Sequence, residues 1–306
     1  GGADTDTLQF TGTAGGNTLT VVYNGATFTQ FSTGGAATIL SNIEAFSANL
    51  GAGTDRISYA GTAAAVGVSV NLSTSSATGF TSLTNVENVT GGSGNDSIVG
   101  TDTNNDLNGG ANGGSDTIGG LGGNDTLTGG AGNDVLTGGT GNDSITGGAG
   151  DDVINYTFGD GNDPTIDGGA DNDTLNITGS AANNTLTVAY NGIALTNFNG
   201  GGISGVEVIN ADLLGGIDTL SYGGSAAGVS ASVATGTASG FASLAGAENL
   251  TGGTGSDNLV GDGGANVLSG GGGTGADTLN GAGGNDTLTG GAGADILTGG
   301  LGDDTM

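Results

Sequence analysis

The sequence has no cysteine, histidine, lysine or tryptophan, and only one arginine (Arg56), one proline (Pro164) and one methionine (Met306). Without cysteine there is no disulfide and no thiolate metal centre. Without histidine, lysine or cysteine the usual groups for acid–base and nucleophilic catalysis are missing, so no enzyme is expected. Paired carboxylates could serve glycoside hydrolysis, but their spacing has another explanation below. No run of 18 apolar residues occurs, so no helical membrane insertion is expected. With a single base, internal salt bridges are nearly ruled out. Nucleic acid and anionic membrane surfaces are excluded as partners by like charge.

What is present is acid and glycine: 26 Asp, four Glu and 72 Gly, for a net charge of −29. Self-repulsion on this scale opposes a compact state unless cations complete it. The composition leans towards disorder, yet 34% of the residues are apolar and they recur at regular places. A merely halophilic surface would scatter Asp and Glu alike, whereas here Asp is held in register.

That register is nine residues. Asp116, Asp125, Asp134, Asp143 and Asp152 each close a glycine-rich loop, and each is followed two residues on by an aliphatic: Ile118, Leu127, Leu136, Ile145, Ile154. The clearest copies read GGAGNDVLT (129–137) and GGTGNDSIT (138–146). A longer repeat lies over the short one. NTLTVVYNG (17–25) matches NTLTVAYNG (184–192), DRISYAG (55–61) matches DTLSYGG (218–224), and NVENVTGGSGNDSIVG (85–100) matches GAENLTGGTGSDNLVG (246–261). Even the irregularities recur. Asp96 is followed by Asn105 and an eleven-residue step to Asp116; Asp257 is followed by Asn266 and an eleven-residue step to Asp277. This is a tandem duplication. Both ends of the sequence correspond to mid-array positions, so we expect a window on a longer tandem protein.

The nonapeptide has a physical reading. Glycines at loop positions one, two and four permit positive φ and close backbone approach. The Asn or Ser before the Asp is expected to tolerate the left-handed region and bond its own backbone. The next residues alternate as a short strand with one aliphatic inward. Two nonapeptides then make a flattened coil of about 18 residues, and coils stack as parallel strands roughly 4.8 Å apart. One buried aliphatic per nonapeptide contributes about 1.5–3 kcal/mol, less than ordering nine backbones costs. Stacked Asp repulsion adds to the deficit. A divalent cation between loops reverses that repulsion, and an all-oxygen site suits Ca²⁺ rather than Zn²⁺ or Mg²⁺.

The motif G-G-x-G-x-D-x-U-x resembles the RTX, or haemolysin-type calcium-binding, repeat. The resemblance covers about 91–173 and 252–306, and the segments between are similar to β-solenoid linkers of long RTX surface proteins and adhesins. It implies an all-β fold, a right-handed parallel β-roll or β-solenoid with Ca²⁺ between stacked loops. It implies as ligands, with loop carbonyls, Asp96, Asp116, Asp125, Asp134, Asp143, Asp152, Asp163 and Asp173 in the first unit. In the second these are Asp257, Asp277, Asp286, Asp295 and Asp304. Pro164 stretches the Asp163–Asp173 spacing to ten residues. Asn105 and Asn266 stand where Asp belongs, which should weaken or abolish their sites. The eleven-residue steps should bulge the coil. The expected organisation is a linker over 1–90, an array over 91–167, a linker over 168–251 and a truncated array over 252–306.

Other features have plainer readings. Glu44, Glu87, Glu207 and Glu248 are expected to bond neighbouring backbone rather than bind cations. Asp4, Asp6 and Asp171 are explained equally by cation binding or by Asx-turns. Arg56 becomes Thr219 in the second unit and is expected to be incidental. DTNNDLN (102–108) lacks the loop glycine and terminal Glu of an EF-hand. Aromatics are absent from 81–155 and 242–306 and gather in the linkers, which predicts a wider core there.

The functional expectation is an extracellular, calcium-stiffened, rod-like segment of a cell-surface filament, surface layer or adhesin stalk, able to self-associate end to end or laterally. The alternative is a calcium-triggered folding and secretion module of a larger type I-secreted RTX toxin or hydrolase.

Overall fold

The computed structural model describes residues 6–41, 43 and 45–306; Asp4 and Glu44 lie outside the described residues. Every regular element among these residues is a β-strand, and no helix is long and apolar enough to cross a membrane. The chain divides into two compact units, Gly1–Asn155 with Asp167–Asp173, and Tyr156–Ile166 with Thr174–Met306.

In the first unit alternate nonapeptides feed alternate sheets. Ile118, Leu136 and Ile154 are stacked in one parallel sheet, and Leu107, Leu127 and Ile145 in the other. Each side chain is buried and its strand neighbours face outward or line the loop, as a two-residue period dictates. Two nonapeptides thus make one coil. The two-residue insertion before Asp116 leaves the pairing intact: Ile98 still pairs with Ile118 and Leu107 with Leu127. The extra residues are taken up in an exposed loop around Ala111, Asn112 and Gly113. The expected bulge is therefore a surface loop and not a break in the sheets.

The linker coils are longer. Leu19 pairs with Ile57 and Ile57 with Val89 in the same register. The additional chain forms antiparallel excursions such as Thr18–Tyr23 with Phe28–Ser32. It also supplies the wider core. Phe28, Phe46 and Tyr59 are buried. Phe46 stacks on Phe80 at 4.9 Å between ring centroids and meets Phe28 edge-on at 5.2 Å. The Tyr59 hydroxyl donates to the Thr78 carbonyl at 2.8 Å, which satisfies the one polar atom that a buried tyrosine brings.

The second unit follows the same plan. Leu186, Leu220, Leu250, Leu268 and Leu288 stack in one parallel sheet. Ala231, Leu259, Leu279 and Leu297 stack in another. Tyr222 repeats the role of Tyr59, donating to the Ser239 carbonyl at 2.6 Å.

Candidate metal centre: four carboxylate ladders

The loops between strands stack as the strands do, so each loop Asp lies over the Asp one coil away. In the first unit the backbone N–H of Val68 donates to Oδ1 of Asp96 at 2.8 Å. That of Asp96 donates to Asp116 at 2.7 Å, Asp116 to Asp134 at 2.7 Å, Asp134 to Asp152 at 2.8 Å and Asp152 to Asp173 at 2.7 Å. On the opposite edge Asn105 donates to Asp125 and Asp125 to Asp143, each at 2.7 Å. The second unit has the series Val229, Asp257, Asp277, Asp295 and the series Asn266, Asp286, Asp304, at 2.8–3.0 Å. Asp163, beside Pro164, is buried in the second unit. All the sequence-predicted aspartates are buried except Asp295 and Asp304, which are half-exposed.

The glycines explain how these carboxylates fit. A Cβ on Gly129 would overlap both Oδ2 of Asp134 and the Gly147 carbonyl of the next coil. Gly130 and Gly132 have φ of 121° and 117°, where an L side chain is strained. The Asn before the Asp behaves differently from expectation. It is absent from the positive-φ residues, and its Oδ1 bonds the next coil rather than its own backbone. Asn124 accepts from the Asn142 N–H at 3.0 Å, and Asn133 from Asp151 at 3.1 Å. It forms an outer ladder beside the inner one.

One oxygen of each inner carboxylate is thus used by the fold. The other differs along the series. Oδ2 of Asp96 and Asp257 accepts a loop N–H, from Gly92 at 2.5 Å and Gly253 at 2.8 Å. Oδ2 of Asp125, Asp134, Asp152 and Asp286 is buried with no hydrogen-bond partner. A buried anionic oxygen without a partner is costly. Burial pushes Asp134 up to about 7 and Asp116, Asp125 and Asp152 up to about 6; neighbouring carboxylates add to the rise and backbone N–H donors oppose it. Either protons or cations must balance these sites at neutral pH. Among the described residues no three His, Cys, Asp or Glu side chains surround a single point. A cation held here would take most of its oxygens from loop carbonyls, and such a hard, flexible, all-oxygen set fits Ca²⁺.

The Asn rungs show what happens without a second carboxylate oxygen. Oδ1 of Asn105 accepts the Thr101 N–H at 2.7 Å while its Nδ2 donates to the Glu87 carbonyl at 2.6 Å. Asn266 does the same with Asp262 and Glu248, at 2.8 and 2.7 Å. Asn17 goes further: its Nδ2 reaches the carbonyls of Thr13, Gly15 and Leu50 and Oδ1 of Asp55 within 2.5–3.2 Å. An amide placed among several oxygens fills the space with N–H donors, so these rungs have no unmet acceptor.

The sequence reading missed Asp55 and Asp218. Both are wholly buried with an Oδ2 that has no hydrogen-bond partner. Both stand in the ladders, accepting from Asn17 at 2.6 Å and Asn184 at 2.5 Å. The signal was there: LGAGTDRIS (50–58) is a nonapeptide with Leu for its first glycine. Glu87 and Glu248 bond neighbouring backbone as expected, but the backbone is that of Asp55 and Asp218, at 2.8 and 2.7 Å, which makes them the next rungs.

A family model described as the RTX calcium-binding nonapeptide repeat matches residues 85–112, 111–143, 128–163, 244–274 and 271–306. No curated protein sequence matches the chain.

Proposed function

Because this chain carries RTX calcium-binding nonapeptide repeats in two arrays, we propose that it is an extracellular structural protein, a segment of a cell-surface filament, surface layer or adhesin stalk that folds and stiffens on binding Ca²⁺. The ions lie between successive loops, held by the ladder aspartates Asp96 to Asp173 and Asp257 to Asp304 with loop carbonyls. The observation that carries this reading is the row of buried Oδ2 atoms without partners at Asp125, Asp134, Asp152 and Asp286. Divalent cations satisfy these oxygens, and a net charge of −29 with one base leaves the chain no substitute of its own. A structural role is supported by the duplication, which copies linker and array together. Such copying adds length without adding a new chemical site.

At about 1 mM Ca²⁺ and site affinities of about 0.1 mM, each site adds roughly 1.4 kcal/mol to stability. At micromolar Ca²⁺ that contribution vanishes, so the chain is unfolded inside a cell and folds outside it. Circular dichroism at pH 8 in millimolar Ca²⁺ and in excess EGTA tests the mechanism: at that pH the β-signal is expected only with Ca²⁺, and an equal signal in EGTA overturns it. Electron microscopy of the Ca²⁺-loaded chain at high concentration tests the structural role. Ordered fibres or sheets are expected, and a strictly monomeric chain counts against it.

A further inference from the structure

We propose that Asp55 with Glu87, and Asp218 with Glu248, form a second class of divalent-cation site in the segments outside the matched repeats. The proposal rests on the calcium-binding reading of the arrays for the availability of the ion, and on its own geometry for the place.

Asp55 and Asp218 are wholly buried. In each, Oδ1 is taken by an Asn backbone N–H from the preceding coil, and Oδ2 has no hydrogen-bond partner. The chain's single basic side chain does not neutralise them: the Arg56 guanidinium pairs with Asp106, and the second copy has Thr219 in its place. A second carboxylate is brought to each from the following coil. Glu87 is seated by Oε2 on the Asp55 N–H, and Glu248 on that of Asp218. Both glutamates are half-buried, so the ladder is open to solvent on that side. Beside Glu248 lies a cavity of about 180 Å³ that Asp262 also lines.

These places differ from the array sites. There, the missing Cβ of the first loop glycine leaves the room shared by Oδ2 and the carbonyl of the next coil. Here Leu50 and Leu213 hold that loop position with side chains, and the next coil offers a glutamate where the arrays offer an aspartate. Each Asp–Glu pair supplies two carboxylates from successive coils, as two successive array aspartates do, which suits a hard divalent ion such as Ca²⁺. The arrangement occurs twice, although Thr54 and Arg56 in one copy are Ile217 and Thr219 in the other.

The test counts Ca²⁺ ions per chain by native mass spectrometry on the full chain. Glu87→Gln with Glu248→Gln keeps the acceptor for each backbone N–H and removes only charge. The double variant is expected to hold two ions fewer than wild type with an unchanged far-ultraviolet spectrum, and E87Q alone one fewer. An undiminished count in either variant overturns the proposal. Asp134→Asn serves as the array control and is expected to lose an array ion while keeping both of these. A wild-type chain holding two ions alone, both lost in the double variant, would sink the array reading and leave this one standing.

Discussion

The backbone N–H of Asp116 donates to Oδ1 of Asp134 at 2.7 Å across one coil of 18 residues. One carboxylate oxygen is thereby a structural acceptor whether or not an ion is bound, and only its twin is free for chemistry. The two functions of the side chain are separable by mutation.

Asp134→Ala removes both. It leaves the buried Asp116 N–H without its acceptor, which costs about 1–3 kcal/mol, and it deletes a cation oxygen. Calcium titrations followed by circular dichroism are expected to show a shallower transition with a higher midpoint. A curve superimposable on that of wild type would refute the role.

Asn105→Asp tests the amide rungs from the other side. The substitution exchanges the donor Nδ2 that now meets the Glu87 carbonyl for a second carboxylate oxygen. The variant is expected to bind one more Ca²⁺ by isothermal titration. An unchanged stoichiometry contradicts the view that the amide stands in for an ion.

Acidity should act on the ion-free protein in an unusual direction. Burial raises the folded-state carboxyls of Asp116, Asp125 and Asp152 to about 6 and Asp134 to about 7, from an ordinary 3.8. The ion-free fold therefore holds more protons than the unfolded chain between about pH 4 and pH 7. Its stability is greatest at the acidic end of that window and is lost as the pH rises through the folded-state values. In EGTA the β-signal is expected to grow between pH 8 and pH 5, while Ca²⁺ affinity falls because protons compete for the same oxygens. An ion-free chain that is less folded at pH 5 than at pH 8 would contradict this account.

Leu121 has φ of 78° and pairs in register with Gly139, whose φ is 99°. A leucine in this region carries strain that glycine does not, and its side chain is 43% exposed, so little packing offsets it. Leu121→Gly is expected to raise stability in Ca²⁺ by about 1 kcal/mol, after allowing for the greater freedom of glycine in the unfolded chain. Thermal unfolding measures it, and a lowered midpoint would count against the reading.

Arg56 makes an ion pair with the exposed Asp106 and a hydrogen bond to Thr90 Oγ1 at 2.9 Å. Exposed pairs contribute little, so Arg56→Thr, the residue of the second copy, is expected to cost under about 1 kcal/mol. A larger loss on chemical denaturation would show the expectation of an incidental role to be wrong.

The arrays were legible because their chemistry is local. Gly129, Gly130, Gly132 and Asp134 lie within six residues, and the aliphatic at Leu136 follows at a fixed distance, so period and purpose are visible together. The linkers were harder, since their rungs are built by residues far apart: Asn17 meets Asp55 across 38 residues and Asp55 meets Glu87 across 32. No constant period connects them, and a leucine replaces the glycine that would have marked the loop. The Asn before each Asp was misjudged for a related reason. Its partner is one coil away, and propensity alone pointed to its own backbone.

A stack of near-identical coils has a difficulty that a varied core does not, because a chain folding one coil out of phase would find almost the same neighbours. The rung of Asn105 on Glu87 breaks that degeneracy. Slide the array by one coil and the carboxylate of Asp125 comes to face the Glu87 carbonyl with no hydrogen to offer. The two asparagines that interrupt the aspartate series, Asn105 and Asn266, thus work as index marks, one for each unit, by which the stack keeps count of where it began.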